Sequence, residues 1–140
     1  MIIQTPRFEA NVIVCEGIVP GRSGLLSAIH IINLLTLEPW VTVASFKVLT
    51  TINGYPGDPY QHVFQLNMIT VDGSSVASTQ PQNIVLTSPH PGSPGSFLVT
   101  SNFALGVSQL GNLGAYIIEA RLDGILVGSA PITLRRATPQ

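Results

Sequence analysis

The run Tyr116-Ile117-Ile118-Glu119-Ala120-Arg121-Leu122-Asp123-Gly124-Ile125-Leu126-Val127-Gly128-Ser129-Ala130-Pro131-Ile132-Thr133-Leu134 reads as two strands and the turn that joins them. Side chains alternate across a strand. Tyr116, Ile118, Ala120 and Leu122 therefore share one face, and Ile117, Glu119, Arg121 and Asp123 share the other. Asp123-Gly124 is the turn, because a two-residue hairpin needs positive φ at both central positions. On the return strand the same parity puts Leu126, Gly128, Ala130, Ile132 and Leu134 on one face. Pro131 lacks an N–H, so it predicts an edge position.

The rest of the chain repeats this grammar. Residues 10–16 form an apolar run, and Pro20-Gly21-Arg22-Ser23-Gly24 is a turn. Residues 25–33 are apolar on both faces, as in a central buried strand. Residues 41–51 form a third run with Trp40 at its mouth. Asn53-Gly54-Tyr55-Pro56-Gly57-Asp58-Pro59 is a turn-rich loop. In residues 63–71, Phe64, Leu66 and Met68 alternate with Gln65 and Asn67, and Asp72-Gly73 follows as a second hairpin signal. Pro81 splits residues 76–86 into an edge strand or two short pieces. A proline-rich loop at 88–96 precedes a further run at 97–105. No segment carries a capped helical period. The expected fold is all-β: a single immunoglobulin-like antiparallel β-sandwich of about seven or eight strands over residues 1–140, with 1–9 and 136–140 as tails.

Charge is scarce. Six Lys and Arg and seven Asp and Glu make 9% of 140 residues, with a net charge of −1. An ordinary domain of this length carries about 35 charged residues. Arg135-Arg136 is the one adjacent cationic pair, too little for a nucleic-acid footprint or an anionic membrane surface. Cys15 stands alone among Val12, Ile13 and Val14, which predicts a buried, inert thiol and a reducing compartment. The longest apolar stretch, residues 25–37, is too short to span a bilayer. The expected location is the cytoplasm or a soluble assembly.

Three stretches resemble an uncharacterised family of small bacterial β-sandwich proteins. The first leads from residues 10–15 through Gly24-Leu25-Leu26 into an apolar strand. The second runs from Tyr60 through Val63-Phe64-Gln65-Leu66 and Val71-Asp72-Gly73 to Ala77. The third is Gly114-Ala115-Tyr116 with the Leu122-Asp123-Gly124-Ile125-Leu126-Val127 hairpin and Pro131-Ile132. The resemblance implies a compact immunoglobulin-like sandwich and no activity. This chain departs from the family's look in carrying fewer charges on outward strand positions.

Signatures of catalysis are missing. His30, His62 and His90 lack the spacing of a local metal motif, and His30 reads as a strand histidine with a backbone partner. Asp72 and Asp123 open Asp-Gly turns and have local work there. Glu119 and Arg121 read as a solvated pair. There is no Gly-x-Ser-x-Gly elbow, and Gly106-x-x-x-x-Gly111 lacks the phosphate-loop lysine. No enzyme, metal or cofactor is expected.

Two functions from different classes follow. The charge deficit and the apolar outward positions predict a structural or protein-interaction module that acts as an oligomer or assembly subunit, of the coat or decoration type, with Ile69, Val71, Ile117, Glu119 and Arg121 in its interface. The alternative is a small module that binds carbohydrate or another ligand through Trp40, Asn53, Tyr55, Asp58, Tyr60 and Gln61, provided their loops meet at one pole. Against it stands the reading that Trp40 and a tyrosine merely plug the core.

Overall fold

A computed structural model describes residues 8–54, 61–85, 95–110 and 113–137. Its strands are β1 (Phe8–Pro20), β2 (Leu26–Ile31), β3 (Leu34–Leu37), β4 (Val43–Gly54), β5 (Gln61–Thr70), β6 (Ser75–Ser78), β7 (Gln82–Val85), β8 (Gly95–Gly106), β9 (Ala115–Leu122) and β10 (Ile125–Arg136). Short 3₁₀ turns lie at Arg22–Gly24 and Val107–Leu110, and no α-helix occurs among the described residues. One sheet has the order β2-β1-β4-β8. The other has β3-β10-β9-β5-β6, with β7 also on β5. The protein is an all-β sandwich.

The alternation read from the sequence builds the core. Phe64, Leu66 and Met68 on β5 and Tyr116, Ile118, Ala120 and Leu122 on β9 face inward and are buried. They meet Ala44, Phe46, Val48 and Ile52 of β4, and Phe46 stacks on Phe103 of β8 at 5.2 Å. Each large side chain buried in this way contributes about 1.5–3 kcal/mol. Thr50 shares the inward stripe of β4, is fully buried, and its hydroxyl has no hydrogen-bond partner among the described residues. Such a group loses water and gains nothing back. Thr50→Val should therefore raise stability by about 1 kcal/mol, read as a higher urea midpoint at unchanged slope.

The final hairpin closes as its sequence requires. Asp123 and Gly124 have φ of 53° and 80°. One parity expectation fails. A bulge between Leu126 and Gly128 pairs Leu126 with Arg121 on the outer face. Leu126 is consequently exposed, whereas Ile132 and Leu134 stay inside. The extra residue resets the alternation, as bulges do. Pro131 lies on a strand flanked on both sides, but β3 reaches only Thr133 to Arg136, so Pro131 sits where β9 alone is paired.

The run expected to be central is instead an edge. Among the described strands β2 has β1 as its one neighbour, and Leu25 and Ile31 are 67% and 70% exposed. Apolarity on both faces does not distinguish a buried strand from one that exposes apolar groups. His30 departs from its expectation too. It has φ of 52°, and its partner is the Glu16 carboxylate, 2.8 Å from Nδ1, rather than the backbone. Just beyond, the chain changes sheets. Ile32 N–H donates to Val14 of β1, while Asn33 C=O accepts from Thr133 of β10. β3 then runs parallel to β10, the one parallel pair among the described strands.

The split at Pro81 gives two short strands, β6 and β7, both on β5. Phe8 and Glu9 belong to β1 and Arg136 to β10, so the strands extend into the segments read as tails. Cys15 is fully buried, and burial pushes its thiol pKa up.

β1 and β10 belong to different sheets, and their main chains approach closely at Gly128. A Cβ on Gly128 would stand 2.2 Å from the Ala10 carbonyl oxygen. Only a residue without a side chain lets the two main chains meet there.

Candidate functional site

Three places among the described residues combine exposure with polar chemistry. The first is the outer face of the six-stranded sheet. Register sets Ile69 opposite Ile117, and Ile117 opposite Pro131, so three apolar groups cross β5, β9 and β10 in one row. Val71, just past the end of β5, is 72% exposed. The next rows are polar, and their groups are already partnered. Glu119 accepts from Arg121 at 3.2 Å. Asn67, opposite Glu119, accepts from the hydroxyls of Ser75 and Ser78 at 2.7 and 2.8 Å. Gln65, opposite Arg121, donates to the Thr79 carbonyl at 2.9 Å. Thus Ile69, Ile117, Glu119 and Arg121 come together on one face, with Val71 at the end of one of its strands.

The second place is an open cleft of about 720 Å³ at one end of the sandwich. Thr42, Val107, Ser108, Leu113, Leu134, Arg135 and Arg136 line it. Arg136 Nη1 donates to the carbonyls of Glu38, Pro39 and Val41, which holds the turn carrying Trp40. Trp40 is 76% exposed, so it plugs no core.

The third lies at the other end. His62 points inward from β5, is 8% exposed, and donates from Nδ1 to Asp123 Oδ2 at 2.6 Å. The other carboxylate oxygen of Asp123 accepts from Val63 N–H at 2.9 Å. Phe8 meets the imidazole edge to face, with centroids 4.9 Å apart. Nε2 has no partner among the described residues. Partial burial pushes the Asp123 carboxyl up, but the hydrogen bonds from His62 and Val63 and the imidazole's charge outweigh it. The net effect holds the carboxyl below its ordinary value. The sequence reading assigned Asp123 only a turn role. The signal for more was the parity of His62, two residues before Phe64 on the inward face.

Of the residues nominated for a ligand, the described ones do not all lie at one end. Trp40 precedes the first residue of β4, whereas Asn53 lies at the far end of that twelve-residue strand, a separation of about 35 Å. Gln61 opens β5 at the same end as Asn53 and is exposed. Tyr55, Asp58 and Tyr60 lie outside the described residues, as does His90. No group of three metal-ligating side chains occurs among the described residues, and no described helix is long and apolar enough to cross a membrane.

No protein-family model and no curated protein matches the sequence, so the resemblance to a bacterial β-sandwich family is not carried to membership. Two solved structures are similar in shape. An alkylpurine DNA glycosylase from Pseudomonas fluorescens, solved bound to DNA containing an abasic-site analogue, is 11% identical with a TM-score of 0.46 over 91% of this chain. The chain spans about 30% of that enzyme's length. An immunoglobulin-like protein from Pseudomonas aeruginosa is 12% identical, with a TM-score of 0.42 over 93% of this chain and 98% of its own. At these scores, strand order and register carry the account of the fold.

Proposed function

We propose that the protein is a non-catalytic interaction subunit that associates with copies of itself through the outer face of its six-stranded sheet. The observation that carries this reading is the row Ile69, Ile117 and Pro131 beside polar groups that already bond one another. Covering apolar surface is favourable at about 25 cal/mol per Å². Covering polar groups is costly only when their hydrogen bonds to water are lost without replacement. Here Asn67 and Gln65 keep partners from within the chain and Glu119 and Arg121 keep each other, so covering this face costs less than burying the same groups unpaired. A net charge of −1 adds little repulsion between copies.

The test is absolute mass by light scattering over about a hundredfold dilution, with Ile117→Arg beside the parent protein. The parent is expected at a stable multiple of 14.8 kDa. The variant places a charge in the centre of the row and is expected at the single-chain mass, with an unchanged far-UV spectrum. A parent that runs as a single chain throughout, or a variant that keeps the parent's mass, sinks the reading.

The alternative, a carbohydrate- or ligand-binding module, draws on the exposure of Trp40. The distance from Trp40 to Asn53 and Gln61 weighs against one shared platform.

A further inference from the structure

A strand at the margin of a sheet offers its main-chain N–H and C=O groups to any strand that comes alongside. Folds blunt such margins with short strands, charge, proline or kinks. The margins of the described sheets are unequal. β3, β6 and β7 have four residues each. β2 has six, and His30 interrupts it at a φ of 52°. β8 has twelve, from Gly95 to Gly106, with no charged residue and no proline. It pairs with β4 along its whole length, and no hydrogen bond reaches it from its other side among the described residues. The longest margin is thus the one without protection.

The missing charge suits a second copy of the same strand. Antiparallel pairing about a two-fold axis near Thr100 and Ser101 sets β8 against itself, so a charge near the axis would meet its own copy, which is unfavourable. β8 carries none. The nearest charge is on Lys47 of β4, opposite Asn102. Three strand spacings, about 14 Å, separate it from its copy, beyond the screening length of about 8 Å at physiological salt. An axis normal to the sheet also keeps outward residues beside outward ones. Leu98 is 44% exposed on the outer side. Phe97 and Leu105 on the inner side are only partly buried, and the copy's inward residues cover what remains.

We propose that β8 is a pairing edge at which two copies of the chain join antiparallel, giving one continuous sheet of order β2-β1-β4-β8-β8-β4-β1-β2. The contact is separate from the outer face of the six-stranded sheet and does not rest on it. With both in use, each copy touches two others. Main-chain hydrogen bonds gained at the edge replace bonds to water and add little each, while association is itself costly. The edge contact is therefore weak and fills at about millimolar concentration, above the range that tests the sheet face.

Ile117→Arg is the background for the test, because it takes the sheet face out of play. Scattering mass and amide NMR shifts are followed from about 20 µM to about 2 mM. The mass is expected to rise toward twice 14.8 kDa. Amide shifts are expected to move with concentration at alternate residues of β8, since alternate N–H groups of a margin strand point away from its neighbour. Thr100 is exposed, so its substitutions keep the fold, which the far-UV spectrum checks. Thr100→Lys should raise the concentration of half-pairing about fivefold or more, and Thr100→Val should leave it within about twofold. A single-chain mass with unmoving β8 amides at the highest concentration overturns the proposal. So do shifts confined to β2 or β9, and equal pairing by Thr100→Lys and Thr100→Val. The β8 shifts are also read without Ile117→Arg, so a failure of the sheet-face reading leaves this outcome distinct.

Discussion

Gly128→Ala is expected to lower stability by about 3 kcal/mol or more, the upper range for overpacking a closed site. The new methyl would stand 2.2 Å from the Ala10 carbonyl oxygen and 3.1 Å from the Ala10 Cβ. The obstacle is main chain, so no rotamer change relieves it. β1 cannot simply retreat, because Ala10 is in register with Ile52 on its other neighbour, β4. The clash therefore has to part the sheets locally or bend β10, and either loosens the core around Ile52. Thermal unfolding should show the midpoint fall by about 10 °C. Gly114→Ala is the matched control: nothing lies within 4 Å of its added carbon, and its midpoint should stay within a degree or two, as surface substitutions usually do (about ±0.5 kcal/mol). Equal midpoints for the two variants would show that the contact between β1 and β10 is not the constraint inferred here.

The second large effect belongs to Asp123. Asp123→Ala removes the acceptor from a nearly buried imidazole and from Val63 N–H at once. It also leaves alanine at φ of 53°, where Asp and Asn are tolerated and most residues are strained. A stranded buried polar group costs about 1–3 kcal/mol. The backbone strain adds about 1 kcal/mol, giving a loss of about 3 kcal/mol in all. Asp123→Asn keeps the turn conformation and one acceptor and should lose about 1 kcal/mol.

The comparison with Asn also has a pH signature. The folded carboxyl titrates below its ordinary value of 3.8. A depressed carboxyl contributes stability that is complete above the unfolded value and is lost as pH falls through the folded one. The gap between the parent and Asp123→Asn should then shrink as pH falls below about 4. Asp72 titrates low as well, held by Thr70 and Ser74, but it is common to both proteins and cancels. A gap that does not narrow in acid would remove Asp123 as the source.

The legible parts of the fold were those carried by parity. Inward positions on β5 and β9 follow from a period of two, and the turn at Asp123-Gly124 follows from the need for positive φ. The illegible parts were decided by partners distant in sequence. Leu126 reads as inward until the bulge shifts it. Residues 25–31 read as a central strand because apolar composition says nothing about how many neighbours a strand has. The row at Ile69 and Ile117 was readable residue by residue, since both are apolar at outward positions, though their adjacency needed the β5–β9 register. The arginine cleft left only a dipeptide as its trace. Its other walls come from Thr42, residues 107–108 and Leu113, which local pattern cannot bring together. Trp40 is separated from Asn53 by the length of β4, a distance that the residues' shared place in turn-rich sequence does not reveal.

The touching of Ala10 and Gly128 bears on how the chain comes to be folded. These residues are 118 positions apart, and they belong to the first and last of the described strands. A chain growing on the ribosome has β1 in hand well before β10 and must hold its apolar strands without that seal until β10 has emerged. Closing so long a loop is entropically expensive, and folds dominated by such pairings cross their barriers slowly. The charge-poor nascent chain thus spends its most exposed interval waiting for β10.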